Sequence, residues 1–331
     1  MSSQAAGSAL GEGAVIGGVA ERRMVAVSGP DRASFLQGFL TNDIASLTAG
    51  QGCYAAWLTP QGRMLTDAHV LETDGMILLD LPADVAGQTA ERLEQFHFSE
   101  DVQIANLADS LRAVWLHGPA APRMLAELAG QTGDIQGAGF AGWTNDQHGR
   151  FECAGIPVVI ARIDQLAVPG FVLYVDVSQE AALTAALAAA GAVRATAAML
   201  EAARIEAGYP VFGIDMTTDT IPLEAGIEDR AISLTKGCYV GQEVIIRVLH
   251  RGQGRVARKL VRLRVEGAPP PRGAKVFAGD REVGFVTSPA QSPRLGAIAL
   301  GYLHRDFIEP GAAVEIECAA GRSPAVVWAP S

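Results

Sequence analysis

Residues 52–72, GCYAAWLTPQGRMLTDAHVLE, restrict the fold more than any other stretch of the 331-residue chain. Two strand-like runs flank Pro60-Gln61-Gly62, a hairpin signal. Consecutive strands joined by a short turn pair antiparallel, whereas parallel neighbours need a long crossover. The surroundings extend the pattern. MVAVSG (24–29) reads as a strand and PDRASFLQGFL as a helix with Phe35, Leu36, Phe39 and Leu40 at helical spacing. GMILLDLP (75–82) reads as a third strand and residues 83–98 as a helix. Strand–helix–strand–strand order with hairpins indicates an α+β fold, not a doubly wound parallel one. The middle of the chain repeats this order. It includes an alanine-rich helix starting at a Ser cap, SQEAALTAALAAAG, and a second helix, ATAAMLEAARIEAG, ending at Gly208.

Residues 210–237 have no clean period and read as a long ordered loop, a feature that tends to be functional. From Lys259, short alternating segments between Pro/Gly turns, with APPPRG (268–273) as a stiff elbow, predict a small antiparallel barrel. The expected divisions are a flexible lead-in at 1–23, α+β parts at 24–110 and 111–258, and a β-barrel at 259–331.

Composition narrows the function. Hydrophobic residues make up 49% and charged residues 19%, as in a folded soluble protein. The net charge of −10 argues against non-specific nucleic-acid binding, which needs Lys and Arg to neutralise phosphates. No apolar run is long enough to span a membrane, and the N-terminus lacks the regions of a signal peptide. Cys53, Cys153, Cys238 and Cys318 form no CxxC pair. Reduced thiols in the cytoplasm are therefore expected, with no metal site. The glycine-rich stretches GEGAVIGG and RGQGR lack the strand–helix context of a phosphate loop.

Three places carry candidate chemistry. Asp67 and His69 share one face of a strand, either as an acid/base pair or on a solvated face. Glu206, in RIEAG, ends a helix beside a glycine, where a carboxylate can accept paired hydrogen bonds from an amino-pyrimidinone edge or simply face water. Cys238 lies in KGCYVGQE (236–243), beside Lys236, one of only three lysines. If a helix follows, its N-terminus and the Lys236 ammonium both favour a thiolate. The competing reading is a buried, inert cysteine.

Together, VSGPDRASFLQGFLTNDI, YAAWLTPQGRMLTD, RIEAGYPVFGID with TIPLEAG, and VGFVTSPAQSPRLGAIALGYL resemble the glycine-cleavage T-protein superfamily. The K-G-C-Y-x-G-Q-E core resembles the signature of its YgfZ branch. The resemblance implies two α+β domains and a C-terminal β-barrel, arranged as a three-domain ring around a tetrahydrofolate channel. It implies a YgfZ-like protein that supports assembly or repair of iron–sulfur enzymes, including tRNA-modifying ones, with iron–sulfur proteins or assembly factors as partners. The alternatives are an aminomethyltransferase of glycine cleavage and a non-catalytic folate scaffold. On this resemblance Cys238, Lys236 and Asp67 are the candidate catalytic residues. Glu206, Arg230, Tyr239, Gln242, Glu243 and Arg247 are the candidate folate contacts. Asp67 matches the second of the family's paired acids; the first position is Thr66.

Overall fold

The computed structural model describes residues 10–129, 139–250, 254–319 and 321–329. Residues 1–9 of the expected lead-in and 251–253 of RGQGR lie outside them. The chain folds as two compact units. Unit 1 holds residues 1–57, 66–196 and 230–240, and unit 2 holds 58–65, 197–229 and 241–331.

Unit 1 contains β1 (Val15–Ile16), β2 (Arg22–Ser28), α1 (Arg32–Gln37), β3 (Gln51–Leu58), β4 (Met64–Thr73) and β5 (Met76–Pro82). It continues with α2 (Ala83–Gln95), β6 (Gln103–Asn106), β7 (Leu111–His117), α3 (Ala121–Ala129) and β8 (His148–Cys153). β9 (Ile156–Arg162), β10 (Gly170–Asp176), α4 (Glu180–Ala189) and β11 (Val193–Arg194) follow. The predicted hairpin is the β3–β4 pair, whose tip belongs to unit 2. One sheet has the order β3-β4-β5-β2-β6 and the other β11-β1-β7-β10-β9-β8.

Period-2 alternation decides what meets between these sheets. Met24, Ala26, Leu71 and Leu78 of the first sheet pack against Trp115, Ala161, Val172 and Tyr174 of the second. Helices α3 and α4 cover the second sheet with Met124, Leu125, Leu183 and Leu187, and α2 lies against β2, β5 and β6.

Two expectations are corrected. Ala14, Val15 and Ile16 are buried, with β1 pairing β7 and β11, so this part of the lead-in is core rather than flexible. The Ser cap is instead an Asp176 cap: its carboxylate accepts from Ser178 N before α4 begins.

Unit 2 begins, after the β3–β4 tip, with α5 (Ala197–Ala207). The stretch read as loop carries two short helices, α6 (Pro222–Ala225) and α7 (Glu228–Ala231). α7 is divided evenly, with Arg230 and Ala231 in unit 1. α8 (Gln242–His250) precedes β12 (Arg258–Val265), β13 (Lys275–Ala278), β14 (Arg281–Ser292), β15 (Gly296–His304), β16 (Ala313–Cys318) and β17 (Gly321–Trp328). These six strands form the predicted barrel, closed in the order β12-β15-β14-β13-β16-β17, so no strand edge is left open. Gly284 allows β14 and β15 to approach: a Cβ there would lie 1.9 Å from Tyr302 O. Ile205 of α5 packs on Ile298 and Leu300 of the barrel. Among the described residues no helix is long and apolar enough to cross a membrane.

Candidate functional site

Asp67 is not on a solvated face. Its side of β4 is covered by the second sheet, and both its oxygens are taken. Tyr54 Oη donates to Oδ2 at 2.7 Å and Arg22 Nη1 to Oδ1 at 3.2 Å. Arg22 also donates from Nε to Asp80 Oδ1 at 2.8 Å and from Nη2 to Asp80 O at 2.5 Å. Tyr174 Oη, from the facing sheet, donates to Asp80 Oδ2 at 2.5 Å. Burial and the Asp80 carboxylate push the Tyr174 phenol well up, so it stays a donor. His69 has Asp146 as its close partner. Its Nδ1 is 2.6 Å from Asp146 Oδ1, while its ring lies 4.9 Å from that of Tyr54. Thr66 is buried and donates to Asp67 O at 3.0 Å. The Arg230 guanidinium sits 4.5 Å from the centre of the Tyr54 ring.

In the KGCYVGQE loop, the Lys236 ammonium does not serve a thiolate. Its three N–H groups go to Gln37 O (2.7 Å), Leu40 O (2.5 Å) and Asn42 O (2.8 Å), which closes the carbonyl end of α1. Ser233 N donates to Thr41 O, Thr41 Oγ1 to Ala231 O, and Val240 N to Gly38 O, so the segments are stitched along their length. Tyr239 is buried, which pushes its phenol up to about 12, and its hydroxyl has no hydrogen-bond partner among the described residues. Cys238 is exposed, which removes the buried, inert reading. It also does not abut a helix: α8 starts at Gln242, and a helix dipole acts only over its first turn. Gln242 is the first residue of α8. Glu243 and Arg247 pair with each other at 2.5 Å on its exposed face.

Burial lowers Lys236 to about 8, against Asp43 and Cys53, which raise it. The folded value lies below the ordinary 10.5, so between about pH 8 and 10.5 the folded chain binds fewer protons than the unfolded one. Stability from this group therefore rises with pH across that window and is lost as pH falls through 8. Lys236→Met is expected to flatten that rise. At pH 7 it should destabilise by about 2 kcal/mol, because three carbonyls lose their donor. Urea unfolding of both proteins from pH 7 to 10.5 checks this.

Glu206, in unit 2, is bonded rather than free. Ser292 Oγ donates to Oε1, and Arg294 donates to Oε2 from Nη2 (2.7 Å) and Nε (3.3 Å). Arg294 is largely exposed. Two residues earlier, Arg204 is fully buried. It bonds Asp215 Oδ2 (2.7 Å), Glu201, Ser288 Oγ (2.7 Å) and Tyr209 O (2.9 Å). Asp215 in turn accepts from Thr287 and Ser288. This network fixes the end of α5 to β14.

Two cavities are lined as follows. One of about 780 Å³ in unit 1 is lined by Leu47, Gln51, Trp143, His148 and Phe151 and holds none of the expected site residues. One of about 320 Å³ in unit 2 opens beside Gly208, Arg262 and Trp328. Among the described residues no group of three or more His, Cys, Asp or Glu is placed to hold a metal.

The GCVT N-terminal domain pattern matches residues 7–236, and the glycine cleavage T-protein C-terminal barrel domain matches 258–331. The chain belongs to the aminomethyltransferase/GcvT superfamily. Its relatives include an aminomethyltransferase of Listeria monocytogenes, 30% identical over 88% of this chain and 79% of that protein. An aminomethyltransferase of Streptomyces coelicolor is 31% identical over 87% of this chain and 77% of its own length. The glycine cleavage system aminomethyltransferase T structure from Bartonella henselae superposes with a TM-score of 0.84. It covers 98% of this chain and 88% of that one at 24% identity, which shows the fold.

These relatives overturn the YgfZ-like, iron–sulfur reading taken from KGCYVGQE. Proteins named aminomethyltransferase match most of the chain, which favours the aminomethyltransferase reading over the YgfZ-like one. The aminomethyltransferase/GcvT family uses tetrahydrofolate as a substrate or cofactor.

Arg22, Asp80, Tyr54, Tyr174, Ser292 and Arg294 were not singled out from sequence. Most act across more than 40 residues of chain. The available signal was the lone Asp80 in the otherwise apolar strand MILLDLP, since a buried charge demands a partner.

Proposed function

We propose that the protein is a tetrahydrofolate-dependent aminomethyltransferase acting on an aminomethyl group carried by a lipoyl protein. One observation carries the reading: both superfamily domains occur in order, within a match to named aminomethyltransferases over 88% of the chain. In the reaction the carrier's S–CH₂ bond and the CH₂–NH₂ bond both break, and the carbon bonds to two nitrogens of tetrahydrofolate. The two protons those nitrogens lose end on the sulfur and on the departing ammonia.

The chain's own groups suit two tasks. Glu206 suits the pterin edge, because its carboxylate already accepts two N–H donors from one planar group, the exposed Arg294 guanidinium. That is the donor chemistry an amino-pyrimidinone offers. On this reading Ser292 keeps Oε1 oriented and Arg294 yields its place to the ligand. Asp67 is the acid–base group, held by Tyr54 and Arg22. Lys236, Tyr239, Glu243 and Arg247 are read as groups that shape the loop and helix around them.

Glu206→Ala is expected to weaken tetrahydrofolate binding by about 30- to 100-fold, the loss of hydrogen bonds to a charged group. Calorimetric titration of wild type and variant reads this directly. Equal affinities would remove Glu206 from the site.

A further inference from the structure

Within unit 1, the bonded chain Tyr54–Asp67–Arg22–Asp80–Tyr174 has one guanidinium serving two carboxylates. Sheet alternation places Arg22, Asp67 and Asp80 on the face covered by the second sheet, at the polar end of an otherwise apolar layer. For packing alone, a second buried carboxylate is a cost, and apolar side chains of similar volume would serve the layer as well or better.

The bonds are also unequal. Asp80, fully buried, holds Arg22 at 2.8 Å and at its own carbonyl, and receives Tyr174 at 2.5 Å. Asp67 receives the same guanidinium at 3.2 Å. Arg22 is therefore held more closely by Asp80, and Asp67 takes a longer bond from its Nη1.

We propose that Arg22, Asp80 and Tyr174 are positioning residues that set the orientation and proton affinity of the Asp67 carboxyl. The chemical part rests on the reading of Asp67 as the acid–base group of aminomethyl transfer; the coupling itself does not. Tyr174 fixes Asp80, Asp80 fixes Arg22, and Arg22 holds Oδ1, while Tyr54 fixes Oδ2. Among the described residues, the other titratable or charged groups against this chain include His69, whose ring meets that of Tyr54, Asp146 behind His69, and Arg230 over the Tyr54 ring.

The coupling gives opposite signs for two substitutions. Asp80→Asn removes the competing charge and frees Arg22 for Asp67, so the Asp67 carboxyl should titrate lower. Arg22→Lys loses the fork and the close charge, so it should titrate higher. Each shift is expected to be about one pH unit. The test is carboxyl ¹³C NMR titration of Asp67 in the full-length wild type, in both variants and in Tyr174→Phe, which keeps shape and removes one hydrogen bond. Asp67 titrating at the same pH in every protein that folds overturns the proposal. A purely structural network would lower melting temperatures without moving that titration in opposite directions.

In the transfer assay, the acidic limb of the kcat–pH profile should move with the NMR values. Wild-type protein that does not catalyse transfer would overturn the functional reading, while the NMR shifts still decide the coupling.

Discussion

Asp67→Asn is expected to lower kcat for aminomethyl transfer by roughly 100- to 10,000-fold, the range typical of a positioned acid–base group. The substitution is nearly isosteric. The amide oxygen still faces Arg22, and the amide nitrogen can donate to Tyr54 Oη, so the stability loss stays near 1–2 kcal/mol. The KM for tetrahydrofolate should stay unchanged, because the lost group acts on a proton and not on binding. The neighbouring Thr66 cannot substitute: it is buried, lacks an ionisable group and bonds the backbone. A variant with full kcat would show that the Asp67 network is purely structural.

Arg204→Ala should produce the largest loss of stability, about 3–5 kcal/mol, as expected when one member of a buried ion pair is removed. Its guanidinium is completely buried and bonds Asp215, Glu201, Ser288 and the Tyr209 carbonyl. Truncation leaves the Asp215 carboxylate, itself fully buried, without its cation. The melting transition of unit 2 should fall by roughly 10 °C. Arg204→Met combined with Asp215→Leu should recover much of that loss, because no unpaired charge then remains inside. Differential scanning calorimetry of the two variants separates these outcomes. A single variant that melts with wild type would refute the assigned role of Arg204.

The hairpin at Pro60-Gln61-Gly62, the helix ending at Gly208 and the closed barrel were legible because each is written in local periods and turn residues. The surroundings of Asp67 were not. Strand alternation placed Asp67 and His69 on one face, but which face meets another sheet depends on β7, β9 and β10, far along the chain. KGCYVGQE misled for a related reason, since much of the motif answers to packing. Lys236 fills a cage of three carbonyls and Tyr239 is buried. Gly241 has φ 84°, with no room for a side chain because a Cβ would lie 2.5 Å from Thr59 O. Glu243 pairs with Arg247 along α8. A short motif dominated by such demands reports a loop conformation, which weighs less for function than a match along nearly the whole chain.

The most direct measurement mixes purified wild-type protein with aminomethyl-lipoyl carrier protein and tetrahydrofolate, then follows ammonia and methylene-tetrahydrofolate together. The account predicts equal molar release of both, dependent on tetrahydrofolate and abolished in Asp67→Asn. Tetrahydrofolate binding with no release of either product would contradict it.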